Sequence, residues 1–550
     1  MAGEHSASST LRPSQSLDQT SAAVIPEKTT QSPEAVTVQT NTKGLQLALI
    51  TSALCLSVFL VALDNTIITT AIPKITDQFQ SLDDVGWYGS AYLLTAASFQ
   101  LLFGKFYAFL SIKWVYIFAI CTFELGSFVS GIAPSSNVLI VGRAISGLGS
   151  AGIFSGALII VANVVPLRRR PLFTGMIGST YGIASVCGPL MGGAFTDKAT
   201  WRWCFFINLP IGAVTLIIVA LFFKTPPEIA RREVNTSLPK LLKRLDPWGT
   251  AIFVPSVICI LLALQGGTRY SWSSSLIIAL LVLFGVFILL FIVIQIIVQE
   301  ENATVSPRIF MQRSIVAGAW YSFFAGAGFY IFVYFLPLWF QAIKGVSAVK
   351  SGTDSLALIL SLVVGTIVAG SLVTVLGYYV PFMILASIIM PIGAGLISTL
   401  TVDAGHAKWI GYQVLFGFGA GLGMQQPFIA AQAVLQTKDV PPGTSLIVFL
   451  QTLGGALFVS IGENIFSSKL AAGLVRKVPG LDPRMVLSTG ATDLKTIISP
   501  QYLPAVLQVY NEALVSTFHI AIAMVSLSIL GALAMEWKNI KEKKVEMALG

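Results

Sequence analysis

Charge is almost missing from long stretches of this chain. Between residues 45 and 535, fourteen stretches of roughly twenty residues pass with few or no ionisable side chains before a short polar connection intervenes. About twenty apolar residues span the hydrocarbon of a bilayer as a helix, and a helix pairs every backbone donor and acceptor within its own segment. The chain is 55% hydrophobic and only 11% charged, whereas a soluble domain is about a quarter charged. A polar surface for 550 residues cannot be built from so little. The sequence therefore predicts an all-α integral membrane protein whose main partner is the lipid bilayer. Its net charge of +9 sits mostly beside spans, where it reports topology, so no nucleic acid is expected as a partner.

Residues 1–42 are rich in Ser, Thr, Gln and Pro and contain no apolar run. They read as a disordered cytoplasmic tail without a cleavable signal peptide. Six spans are expected within 43–223, the first over 45–70, then a basic cytoplasmic linker at 224–246, then two additional spans within 247–298. A second six-helix bundle is expected over 299–537, its last two spans at 442–466 and 510–535 with a long extracellular loop at 467–508 between them, followed by a cytoplasmic tail at 538–550. Lys and Arg concentrate in the loops facing the N-terminal side, among them Arg168, Arg169 and Arg170, which predicts both termini in the cytoplasm. The sequons at Asn235 and Asn302 would then be cytoplasmic and unmodified. The cysteines all fall in apolar runs and read as packing residues, with no metal site.

Ionisable residues inside spans are the strongest functional candidates, because each costs about 2.5–3.5 kcal/mol at a helix centre on insertion scales. Glu124 lies nearest mid-membrane and is the first choice for a proton carrier; Asp64 is the second. Arg143 supplies a fixed positive charge that either pairs with a carboxylate structurally or couples its protonation to a conformational change. Glu463, Glu512 and His519 read as interfacial residues. Gly147, Gly149 and Gly152 spell GxGxxG beside Arg143, but inside an apolar span this pattern marks helix contact, since a dinucleotide site needs a preceding strand. Gln425 and Gln426 bring amides into the membrane, and Phe329 and Tyr330 belong to an aromatic span. These four are the candidates for a substrate cavity. In "STYGIASVCGPLMGGAF", residues 179–195, Ala184, Gly188 and Gly192 form a small-residue face, while Pro189 removes a backbone donor and bends the helix.

Several segments together resemble the major facilitator superfamily, specifically its fourteen-helix drug:proton antiporters and their fungal toxin and multidrug efflux branch. "LDNTIITTAIPKI" resembles the motif ending the first helix, and "GRAISGLGSAG" the fourth-helix motif carrying Arg143. "ASVCGPLMGG" is similar to the fifth-helix antiporter motif, with Gly188, Pro189, Gly192 and Gly193 matching and Ala184 replacing its first glycine. "WRWCFFINLPIGA" is typical of the fourteen-helix branch. The loop between the second and third spans departs from the pattern: Ala108 and Phe109 stand where the family has an Asp-Arg pair that latches the cytoplasmic gate.

The resemblance implies a major facilitator fold of two pseudo-repeated bundles plus two extra helices. It also implies a carrier rather than an enzyme, needing no cofactor beyond a proton gradient, with protons and a small molecule as its partners, acting as a monomer. A proton-coupled exporter of amphipathic toxins, metabolites or drugs in the plasma membrane is expected, with vacuolar or vesicular membranes as alternatives. The rival expectation is a proton-coupled importer of a siderophore or nutrient, against which the glycine-proline motif argues.

Overall fold

The computed structural model describes residues 44–81, 84–224, 243–269, 272–298, 302–488 and 494–541. The expected tail at 1–42, most of the linker at 224–246, the sequon at Asn235 and most of the tail at 538–550 lie outside these residues. Helix forms at each of the fourteen expected positions. The first bundle comprises α1 (Gly44–Phe79), α2 (Val85–Phe109), α3 (Ile112–Gly131), α4 (Ser136–Val164), α5 (Arg170–Lys198) and α6 (Trp203–Phe222). The extra pair is α7 (Pro247–Arg269) and α8 (Ser275–Ile297). The second bundle comprises α9 (Arg313–Lys344), α10 (Val349–Leu376), α11 (Val380–Ser398), α12 (His406–Val434), α13 (Val440–Lys477) and α14 (Leu503–Ala534). Among the described residues, twelve of these helices are long and apolar enough to cross a membrane. The other two, α2 and α5, are long but more polar, and they are the helices through which the first bundle meets the second.

Several ends differ from expectation. Helix α1, expected over 45–70, continues to Phe79. Helix α13, expected over 442–466, runs to Lys477, and α14 starts at Leu503 rather than 510. Helix thus covers both ends of the expected 467–508 loop, whose middle adds the short helices Pro483–Ser488 and Leu494–Ile497. Counting apolar residues finds where a helix leaves the hydrocarbon, not where it ends, and a polar helix continues readily in water. Helix α12 is interrupted at Met424–Gln425, just before Pro427, between the segments His406–Gly423 and Gln426–Val434.

The two bundles repeat one packing scheme. In the first, α1 packs against α5 and α6, and α4 against α2 and α3. In the second, α9 packs against α13 and α14, and α12 against α10 and α11. Each pair recurs eight elements later, a symmetry that the sequence shows only faintly. The bundles meet along two seams, α5 with α10 and α2 with α13, which the same symmetry exchanges. Helix α7 touches both α2 and α13 and covers the second seam.

At the end where α1 starts, here called the base, both bundles share one apolar core. Ile50, Ile160 and Val164 pack there with Phe428, Leu435, Val440 and Phe449. Away from the base the core divides. One cluster holds first-bundle residues such as Leu63, Ile67, Ala184 and Phe205, and the other is built from the second bundle with Val186 of α5. The bundles therefore share one core at the base, while further along each has its own and α5 remains in contact with α10.

The connection from the linker to α9 is tied down by Asp246, which is buried. Its carboxylate accepts from Gly249 N (2.9 Å), Gln295 Nε2 (2.8 Å), Thr304 N (3.0 Å) and Thr304 Oγ1 (2.7 Å). Thr304 completes the sequon of Asn302, which is itself buried. With that threonine engaged, glycosidase treatment is expected to leave the mass of the 299–306 peptide unchanged. A sugar-dependent shift mapped to Asn302 would contradict this packing.

Candidate coupling site and bundle interface

Arg143 and Asp64, both fully buried, form a salt bridge between α4 and α1. Arg143 Nε donates to the Tyr88 carbonyl at 2.9 Å, and its guanidinium lies 4.5 Å from the Tyr92 ring centroid and 5.9 Å from that of Phe205. Two aromatic rings thus flank a charge that water does not reach. The other Asp64 oxygen accepts from Asn208 Nδ2 at 3.1 Å, and the same amide nitrogen donates to Ser127 Oγ at 3.1 Å. Desolvating such a pair costs several kcal/mol per ion, so its attraction and hydrogen bonds must compensate, and losing one partner strands the other. Asn208, the last polar residue of "WRWCFFIN", is a site residue that sequence reasoning missed. An asparagine within an apolar run was its only signal.

Glu124 does not join the salt bridge. It sits on α3 with both carboxylate oxygens buried and without a hydrogen-bond partner among the described residues. Its side chain occupies the space left by Gly212 of α6, where a Cβ would overlap the carboxylate. Of the three coupling candidates, the structure joins Asp64 to Arg143 and keeps Glu124 apart, on a neighbouring helix. Glu512, read as interfacial, pairs with Lys477 at 2.6 Å, with both side chains partly exposed.

The antiporter-motif residues on α5 face two ways. A Cβ at Gly188 would overlap Thr66 and lie 2.9 Å from Ile67 N, and one at Gly192 would lie 2.6 Å from the Ile67 carbonyl. Ala184 is fully buried in the cluster that includes Ile67. This face brings α5 to α1 at backbone distance, as small-xxx-small surfaces do. The other two residues meet the second bundle: a Cβ at Gly193 would lie 2.8 Å from Val349 Cγ2, and one at Gly352 would lie 3.7 Å from the Pro189 ring. Helix α5 thus lies between its own bundle and α10. On α4, Gly149 and Gly152 admit α3 just as closely, with the Ala119 carbonyl 2.6 Å and the Ala119 Cβ 2.6 Å from their respective virtual Cβ positions. The GxGxxG pattern is helix contact.

The four cavity candidates divide. Tyr330 reaches across to Tyr181 of α5, hydroxyl to hydroxyl at 3.5 Å, and Gln425 packs over Gly178 of α5. Phe329 instead belongs to the second bundle's core, and Gln426 is buried with its amide donating to the Leu422 carbonyl at 2.9 Å. Phe154, which sequence reasoning also missed, stacks edge-on against Tyr181 and against Phe428 of α12. An aromatic and amide surface therefore lies between the bundles, just above the shared core.

At the base of α2, where the expected Asp-Arg latch is replaced, Lys105 is buried and donates to the Arg244 carbonyl at 3.3 Å. Its ammonium and the Arg244 guanidinium lie 5.2 and 5.8 Å from the Phe109 ring centroid. A Cβ at Gly104 would lie 2.8 Å from Ser445 of α13. Phe109 serves here as a platform for two cations, and glycine contact closes the seam.

Comparison with known proteins agrees with this architecture. The family model for the Major Facilitator Superfamily matches residues 54–459. The chain is 56% identical over 506 residues to the MFS-type efflux pump MFS1 of Arthroderma benhamiae, covering 92% of this chain and 94% of that protein. It is 53% identical to the efflux pump roqT of Penicillium rubens, covering 90% and 91% of the two chains. It is 50% identical to the efflux pump aflT of Aspergillus parasiticus, covering 93% and 99%. Among solved structures, the proton:xylose symporter XylE shares the fold, with TM-score 0.58 at 13% identity over 91% of this chain and 99% of that one. The human organic anion transporter MFSD10 does so with TM-score 0.56 at 13% identity over 87% and 99%. The chain belongs to the major facilitator superfamily, in the branch that contains these fungal efflux pumps.

Proposed function

We propose that this protein exports amphipathic small molecules, fungal secondary metabolites or drugs, in exchange for protons. The two bundles rock about the interface between them, and α2 and α5 cross the bilayer with the other twelve helices. Both termini lie in the cytoplasm of a cell whose plasma membrane carries the protein as a monomer. The shared core at the base then closes the cytoplasmic side, leaving a state that faces outwards. The names of the relatives support export. The buried Asp64–Arg143 pair carries the reading of proton coupling. A proton on Asp64 removes the charge that holds Arg143, which frees α1 and α4 to repack, and Glu124 takes part as a second carboxylate. Substrate would lie against Tyr330, Tyr181 and Gln425, where aromatic faces and a neutral amide accept many shapes.

The test is uptake of rhodamine 6G and a panel of fungal metabolites into inside-out vesicles. An inside-acidic gradient is expected to raise initial uptake of transported compounds about tenfold or more, and a protonophore to abolish the rise. Uptake that ignores the gradient would remove antiport, and accumulation only in right-side-out vesicles would favour import.

A further inference from the structure

We propose that Asn208 is a positioning residue that joins Asp64 and Glu124 into one proton-binding unit, with Gly212 as the notch that seats Glu124. The inference rests on the proton-coupled reading above. It assigns roles to α6 that neither the motif nor the relatives supply.

Helices α3 and α6 run antiparallel, and their contact repeats in rungs. At the base Lys113 Nζ donates to the Ala220 carbonyl at 2.6 Å. Glu124 sits opposite Gly212, and Ser127 sits opposite Asn208 at 3.1 Å. Near the far end Arg202 donates to the Gly131 carbonyl at 3.0 Å. Glu124 and Ser127 are three residues apart, and Asn208 and Gly212 four, so the two middle rungs are adjacent turns of the same helices.

Of these four rungs, that of Asn208 is the one whose described hydrogen bonds reach a third helix. Its amide nitrogen has two protons, and these go to Asp64 of α1 and Ser127 of α3. That arrangement turns its carbonyl oxygen away, and Asn208 Oδ1 is buried without a partner among the described residues. One turn along lie the two Glu124 oxygens, also buried and unpartnered. Three acceptor atoms on adjacent turns, each buried and without a partner among the described residues, call for a donor. A proton carried on Glu124 supplies one.

The titratable and charged groups that act on Glu124 are few. Asp64 lies on α1 and Cys121 on α3 itself, while Arg143 of α4 pairs with Asp64 and keeps Nη2 without a partner among the described residues. The α6 face opposite carries Gly212, Asn208 and, a turn further along, the buried thiol of Cys204. Asn208 sets how Asp64 is held, and its rung lies next to the one that seats Glu124. A proton arriving at either carboxylate changes the affinity of the other.

The reagent N,N′-dicyclohexylcarbodiimide couples to protonated carboxyl groups in apolar surroundings and needs neither substrate nor gradient. Full-length protein in nanodiscs would be labelled over about pH 5 to 9, with Glu124 occupancy read by peptide mass spectrometry. Glu124 should be labelled with a single midpoint. Asn208→Ala is expected to move that midpoint by about one pH unit, a tenfold change in proton affinity. Ser127→Ala, which keeps the bond to Asp64, should move it less and in the same direction. Gly212→Ala should change the labelling rate of Glu124 several-fold by pushing its carboxylate out of the notch.

Glu124 that stays unlabelled, or equal midpoints in wild type, Asn208→Ala and Ser127→Ala, would overturn the unit. Should Asn208→Ala fail to elute as a monodisperse peak, Ser127→Ala alone decides. A shifted midpoint together with gradient-independent vesicle uptake would keep the unit and discard antiport, so the two readings fail separately.

Discussion

Replacing Arg143 with alanine is expected to abolish transport and to destabilise the first bundle. The change strands the Asp64 carboxylate, which is fully buried and keeps only its amide bond from Asn208. Breaking a buried pair from one side costs about 3–5 kcal/mol. Tyr92 and Phe205 would also lose the guanidinium that fills the space between them. Initial uptake into inside-out vesicles should fall at least about a hundredfold, equivalent to about 2.7 kcal/mol, and the purified protein should melt at a lower temperature. Adding Asp64→Asn removes the stranded charge and should recover most of the stability without recovering transport. That split separates a structural pair from a coupling pair. If Arg143→Ala melts and transports like wild type, the pair has neither role.

The second large effect is expected from Gly188→Val on α5. Even the first added carbon would overlap Thr66, and it would lie 2.9 Å from a backbone nitrogen that no rotamer change can move. Overpacking of this kind costs about 1–3 kcal/mol where the structure yields. Here the yielding element is α5 itself, which also carries the contact to α10 through Gly193 and Gly182. Separating α5 from α1 thus disturbs the seam between bundles, and gradient-driven uptake should fall about tenfold or more, in line with 1.4 kcal/mol of barrier. Ala184→Gly, which only removes bulk from the same face, should leave uptake within about twofold and cost roughly 1 kcal/mol of helix stability. Full activity in Gly188→Val would show that the α1–α5 contact does not govern transport.

These residues differ in how plainly the sequence announces them. The helices were legible because hydrocarbon tolerates little else, and so was the small face of α5, because glycines four apart in a span have few other uses. Arg143 and Asp64 were legible singly: a membrane charge demands a partner, but the demand does not say which one. Their pairing, across 79 positions of sequence, depends on how α1 and α4 rotate about their axes, and periodicity in an almost uniformly apolar helix leaves that rotation undetermined. Asn208 was hidden for a related reason. A neutral amide near the start of a span reads as an interfacial residue until the neighbouring helices are placed. Phe329 and Tyr330 show the same limit at closer range. They are adjacent, yet one turns into the bundle core and the other towards Tyr181. The ends of α1 and α13 were misjudged because burial in lipid and helicity are different properties.

Helix α7 bears on both bundles. Gln265 Nε2 donates to Ser90 of α2 at 2.7 Å, and Phe253 packs edge-on against Phe449 of α13. Just beyond the helix, Trp272 Nε1 donates to Asn464 of α13 at 3.2 Å. Its partner α8 turns most of its apolar surface outwards. The symmetry that exchanges the two seams is therefore broken: a helix pair covers one seam, while among the described residues no such pair covers α5 and α10. A molecule dissolved in the bilayer meets a two-sided machine with one side door walled up.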